Sequence, residues 1–279
     1  MSKRIVTIQD ISCVGKCSLT VALPLISAMG IETAILPTAV LSTHTMFQGF
    51  TCKDLTDQIN PIAEHWKKEG FHFDAIYTGY LGSFEQIHLI SNFFQDFKTD
   101  DNLIIVDPVM GDNGKLYPAF DLAYAKENTK LCGKADIILP NLTEASFMTG
   151  LPYKTSYDRA YIDDMLNALC ALGPKEVVLT GVSFEEGKIG VMGKNAETGE
   201  TFEYYNEKVP ASYHGTGDIF SSVVTGGIVR GLPLPKAFQI ACDYTRDTIA
   251  YTYKLRGKDS YGVDFETTIP ELVRTLEKA

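Results

Sequence analysis

Short aliphatic runs alternate with amphipathic stretches along most of this chain, and that alternation limits its fold more than any other feature. The runs lie at 4–9, 33–37, 74–78, 103–106, 136–139 and 176–180, rich in Ile and Val and bounded by Gly, Pro, Asn or Asp. Such continuous apolar runs suit strands buried on both faces of a parallel sheet. Helical patterns fill the gaps, at 16–29, 84–98, 120–131, 157–172, 216–230 and 235–251. Residues 188–191 and 201–206, around a polar turn at 193–199, read as an added antiparallel hairpin. The order predicts a layered α/β/α sandwich with right-handed crossovers and a mostly parallel central sheet. No repeat or linker interrupts it, so residues 1–279 read as one domain.

The charge narrows the partners. With 25 Lys and Arg against 35 Asp and Glu, the chain carries a net charge of −10. Nucleic acid and acidic membranes attract the opposite balance, so neither is an expected partner. A strand starting at Arg4 leaves no room for a signal peptide, and no run of about 18 apolar residues spans a membrane. A cytoplasmic protein is expected. Its six cysteines contain no Cys-x-x-Cys pair, which predicts reduced, mostly buried thiols.

Ligands of open α/β sheets collect beyond the carboxyl ends of the strands. The polar residues there are Gln9-Asp10, Thr78-Gly79-Tyr80, Asp107-Pro108, Pro140-Asn141 and Thr180-Gly181. Later comes His214-Gly215-Thr216-Gly217-Asp218, leading directly into an apolar helical run. Two glycines permit a tight turn, and the helix start leaves N–H groups free to hold a phosphate. Asp218 stands at the lip of that cradle, placed to take a proton from an attacking hydroxyl. A glycine turn with an acid in the first helical turn would look the same. Asp107, Asn141 and Glu144 offer oxygen ligands for magnesium, directly or through water. Asn141 and Glu144 equally suit a capping box.

Thr78-Gly79-Tyr80-Leu81-Gly82-Ser83 and Asp107-Pro108-Val109-Met110-Gly111-Asp112 resemble segments of the pyridoxal/pyridoxamine kinase family, within the ribokinase-like superfamily. Ser42-Thr43-His44-Thr45 is similar to that family's Ser-Asn-His-Thr. Ile8-Gln9 with Gly15, Pro140-Asn141-Leu142-x-Glu144 and Gly215-x-Gly217-Asp218 follow the same order. The likeness runs over about residues 4–230.

The resemblance implies a ribokinase-like sandwich that phosphorylates the 5′-hydroxyl of a B6 vitamer with ATP, in the presence of Mg2+ and with K+ as a further ion. It implies Asp218 as general base and Gly215, Thr216 and Gly217 as an anion hole. Asp107 and Glu144 would face ATP phosphates and magnesium, Thr180 the nucleotide, and Lys208 and Val209 the adenine. Asp10, Thr45 and Tyr80 would line the pyridine pocket, with His44 close by. A homodimer is also implied.

Three departures stand out. Asp10 replaces the family's usual Ser, and Thr43 its Asn. Thr180 occupies the place of a lysine that some relatives carry near the phosphates. A carboxylate at residue 10 suits a cationic ring nitrogen or an exocyclic amine better than a phenolate oxygen. The rival readings are a hydroxymethylpyrimidine kinase of the thiamine pathway and a catalytically silent small-molecule binder. The first lacks its Gly-Ser-Asp loop here, and Asp218 with Glu144 weighs against the second. A sugar kinase fits less well, because no glycine-rich sugar-binding segment precedes the first strand.

Overall fold

A computed structural model describes residues 3–279. The chain begins with β1 (Arg4–Val14), α1 (Leu19–Ala28), β2 (Glu32–Thr43) and β3 (Cys52–Asp54). It continues through α2 (Thr56–Glu69), β4 (Ala75–Thr78), α3 (Phe84–Phe97) and β5 (Leu103–Val106). A small ribbon, β6 (Gly111–Asp112) and β7 (Lys115–Leu116), precedes α4 (Leu122–Cys132), β8 (Ile137–Ile138), α5 (Leu142–Thr149) and α6 (Arg159–Cys170). Then come β9 (Glu176–Val182), β10 (Lys188–Asn195), β11 (Thr201–Glu207), α7 (Thr216–Val229), α8 (Leu234–Arg256) and α9 (Phe265–Glu277).

The main sheet has the order β11-β10-β9-β8-β5-β4-β1-β2-β3. The strands from β2 to β9 pair in parallel, and β3, β10 and β11 are antiparallel additions at the two edges. Alternation along each strand builds the layers. Val6, Ile8, Ile76, Ile104, Val106, Val177 and Leu179 pack beneath α2 to α6. Ile5, Tyr77, Ile105 and Val178 face the opposite way, into α1, α7, α8 and α9. The expected three-layer sandwich is therefore present.

One consequence fixes the site. The crossover from β1 to β2 uses α1 on one face, while α2, on the other face, leads from the β2–β3 edge to β4. The carboxyl ends of β1 and β4 thus diverge at a topological switch point, where a crevice opens. Beside it, β2 inserts Thr38 and Ala39 opposite the single residue Asp10, a bulge between the Gln9–Pro37 and Ile11–Val40 pairs. Bulges of this kind re-aim side chains next to binding sites.

Several boundaries differ from the sequence reading. β1 and β2 run five and six residues past their expected ends, to Val14 and Thr43, because they keep pairing after the apolar run stops. The sequence pattern predicts neither α2 nor α9. Each holds an interior proline, Pro61 and Pro270, and α2 buries only Ile59 and Ala63. The thiols are free, but only Cys132 and Cys242 are buried, while Cys13 and Cys52 are exposed. The expectation of mostly buried cysteines is thus corrected. Both exposed thiols lie in strands of the β1–β2–β3 side of the sheet, Cys13 near the end of β1 and Cys52 at the start of β3.

Candidate active site

The glycine turn before α7 is shaped by close packing. Gly215 adopts φ 82°, and a Cβ there would sit 1.7 Å from the backbone oxygen of Lys16. Only glycine allows this approach, which lays the turn against the loop following β1. No side chain caps α7, so the N–H groups of its first turn are left without a side-chain acceptor.

Asp218 occupies the first turn of α7 and is half-buried. Burial pushes its carboxyl up to about 7, with the charges of Asp107 and Asp10 adding and a backbone N–H from Ser18 opposing. An acid near 7 is far better matched to taking a proton at neutral pH. Ser18 holds φ 51°, a strained value for a residue with a side chain. Ser18 lies beside both acids, its backbone N–H toward Asp218 and its hydroxyl toward Asp10.

Beyond β5, the Asp107 carboxylate accepts from the Ser221 hydroxyl at 2.7 Å. Glu144 is 2% exposed and accepts from the backbone N–H groups of Asn141 at 2.8 Å and Met110 at 3.0 Å. Burial holds both acids above the usual range, and Asp107 raises Glu144 further. The Asn141 amide oxygen accepts from the N–H groups of Thr143 and Glu144, at 2.8 and 3.0 Å, while its nitrogen donates to Gly111. The capping box is thus fully formed, and Asn141 has no free oxygen lone pair aimed outward. No cluster of three or more His, Cys, Asp or Glu able to hold a metal exists among the described residues. Asp107 and Glu144 are the acids here that could hold a divalent cation through water, and burial is the main cause of their raised carboxyls.

Thr180 is drawn to the same place, its N–H donating to the Pro140 carbonyl at 2.9 Å beside a bridge to Asn141. Tyr80 leaves β4 half-buried, its ring 5.4 Å from that of Phe120, and it feels the charge of Asp10. His44 is 3% exposed and stacks on His214 at 5.1 Å. Its Nδ1 accepts from the Met46 N–H, which places the proton on Nε2, a buried atom without a partner. Thr45, the residue after it, is exposed. Lys208 and Val209 follow β11, where the Lys208 N–H bonds Gly187 at 2.7 Å. No hydrogen bond joins Thr45, Lys208 or Val209 to the carboxylate cluster among the described residues.

Residues that sequence reasoning missed close the other wall. Lys16 pairs with Asp264 at 2.9 Å and Glu266 at 2.7 Å, and Arg256 pairs with Asp264 at 2.6 Å. These bonds draw the segment between α8 and α9 over the glycine turn. Tyr261 thereby approaches His44 and Phe47, with ring centres 6.0 and 5.7 Å apart. Lys16 and Asp264 lie 248 positions apart, so no local pattern could have linked them. Ser221 carried a signal, since it lies one helical turn beyond Asp218.

Residues 26–263 match the phosphomethylpyrimidine kinase family. The chain belongs to that family. Its relatives include pyridoxal kinases, as the sequence motifs implied. A pyridoxal kinase of Dictyostelium discoideum is 29% identical over 87% of this chain and 83% of its own. The crystal structure of pyridoxal kinase from Lactobacillus plantarum has 33% identity, a TM-score of 0.90, and coverage of 99% of this chain and 98% of that one. A Bacteroides thetaiotaomicron protein, described as a candidate phosphomethylpyrimidine kinase and crystallised with pyridoxal, has 39% identity and a TM-score of 0.86. That match covers 99% of this chain and 96% of the other. The chain is therefore a kinase acting on a hydroxyl group. No helix among the described residues is long and apolar enough to cross a membrane.

Proposed function

We propose that this kinase transfers the γ-phosphoryl group of ATP to the 5′-hydroxyl of pyridoxal, pyridoxamine or pyridoxine. The observation that carries the reading is Asp218 at the start of α7, raised to about 7, beside open N–H donors and the β1–β4 crevice. The acceptor ring lies between Asp10 and Tyr80, with His44 and Thr45 at the rim. Asp218 takes the hydroxyl proton as the oxygen bonds to the γ-phosphorus, and ADP departs with the electrons of the broken bond. The N–H groups of Gly215, Thr216 and Gly217 receive the charge on the transferred oxygens. Asp107 and Glu144 would hold Mg2+ through water near Thr180, where the ion would neutralise charge on the phosphates, and Lys208 and Val209 flank adenine. The wider reading is a cytoplasmic homodimer of one kinase domain, with Mg2+ and K+ as its ions.

A second reading, hydroxymethylpyrimidine phosphorylation, is favoured by the name of the matched family. Coupled ADP-release assays with each B6 vitamer and with hydroxymethylpyrimidine, omitting Mg2+ or K+ in turn, separate the two. The vitamers are expected to give the higher kcat/KM. A higher value with hydroxymethylpyrimidine would reverse the assignment, and no acceptor-dependent ADP release would end it.

A further inference from the structure

We propose that Asp10 sets the specificity of the acceptor site by receiving a positive charge carried by the substrate, so that the site selects a cationic heteroaromatic alcohol. This rests on the kinase reading above and names the chemical class of its acceptor. Asp10 is 5% exposed within β1, two residues past the last β1–β4 pair (Ile8–Thr78) and opposite the bulge of β2, beside the crevice. Its carboxylate accepts from the Ser12 hydroxyl at 3.2 Å, and the Ser18 hydroxyl lies beside it. Both hydroxyls are neutral.

The groups around it supply no counter-charge. Its field reaches Asp218, Cys17, Cys52 and Tyr80, each an acid or a neutral group. No ion pair among the described residues includes Asp10, although sixteen pairs join other acids to Lys, Arg or His. A carboxylate taken out of water without a cation is costly, and two hydroxyl donors offset only part of that cost. Elsewhere this chain answers the same problem directly: Asp264, 6% exposed, has both Lys16 and Arg256. At Asp10 the complement is left to the ligand. The aromatic face of Tyr80 nearby suits a flat ring.

On a B6 vitamer the charge has two sources, a protonated ring nitrogen or the exocyclic ammonium of pyridoxamine. Calorimetric binding and steady-state kinetics would compare wild type with Asp10→Asn, which keeps the size and one oxygen acceptor. The ligands are pyridoxine, pyridoxamine, and a benzene analogue of pyridoxine that lacks the ring nitrogen. Wild type should bind the vitamers at least about tenfold more tightly than the neutral analogue, the scale of one charge-assisted bond. Asp10→Asn should lose that preference, raising KM about tenfold or more while kcat changes less. Loss for both vitamers assigns the ring nitrogen, and loss for pyridoxamine alone assigns the ammonium.

Equal binding of charged and neutral ligands by wild type would overturn the proposal. So would an unchanged preference in folded Asp10→Asn. Should that variant not fold, the wild-type comparison still decides. If wild type phosphorylates no vitamer, the kinase-substrate reading fails, while the binding preference continues to test Asp10 separately.

Discussion

Replacing Asp218 by Asn tests the electrostatics of the site through two measurements that should move in opposite directions. The carboxyl rises from 3.8 to about 7 in the folded protein. A raised acid means that the folded state binds its proton more tightly than the unfolded chain does. Ionisation therefore costs stability, and the cost grows as pH climbs from about 4 to about 7 and is complete above that. Three units at about 1.36 kcal/mol each set an upper bound of about 4 kcal/mol. Asp218 is half-buried, so about 2 kcal/mol is the expected size after solvent screening. Asn keeps an oxygen for the Ser18 N–H and carries no charge toward Asp107 or Asp10. Denaturant titration should find Asp218→Asn about 2 kcal/mol more stable than wild type at pH 8, with a smaller gain at pH 5. Turnover should fall at least ~10²-fold, the scale of a positioned proton acceptor. Wild-type kcat/KM should rise with pH through about 7. A variant no more stable at pH 8, or a gain equal at both pH values, would refute the account of the raised carboxyl. Near-normal turnover would refute its role as base.

Gly215→Ala should abolish activity and lower stability, because a Cβ 1.7 Å from the Lys16 oxygen forces the turn off the loop; full activity in a coupled assay would contradict this packing. Asn141→Ala removes the cap of α5 and should cost about 1–2 kcal/mol by denaturant titration. A cost near zero would mean that the cap is dispensable. Lys16→Met leaves Asp264 with Arg256 alone and frees Glu266, at a cost of about 2 kcal/mol. It should raise the acceptor KM several-fold with a smaller change in kcat, since Tyr261 would lose its anchor. Equal losses in both constants would argue that Lys16 serves only folding.

The layered sheet was readable in the sequence because parallel strands buried on both faces leave unbroken aliphatic runs, and those from 74 to 180 fall within two residues of the observed strands. Gly215 to Asp218 was readable for a similar reason, since a turn and a helix start use neighbouring residues. Asn141 and Glu144, three positions apart, form the capping box that their spacing allows. The tertiary structure decided what depends on distant residues meeting. It buried Asp218 against the loop after β1 and raised its acid, which no local pattern encodes. It brought Lys16 to Asp264 across 248 positions and set Tyr261 over His44. It also left Asp10 in the crevice with hydroxyls but no cation. Sequence fixes which groups are available and how each strand or helix forms. Burial and charge pairing are sums over the whole fold, and these set the chemistry of the carboxylates.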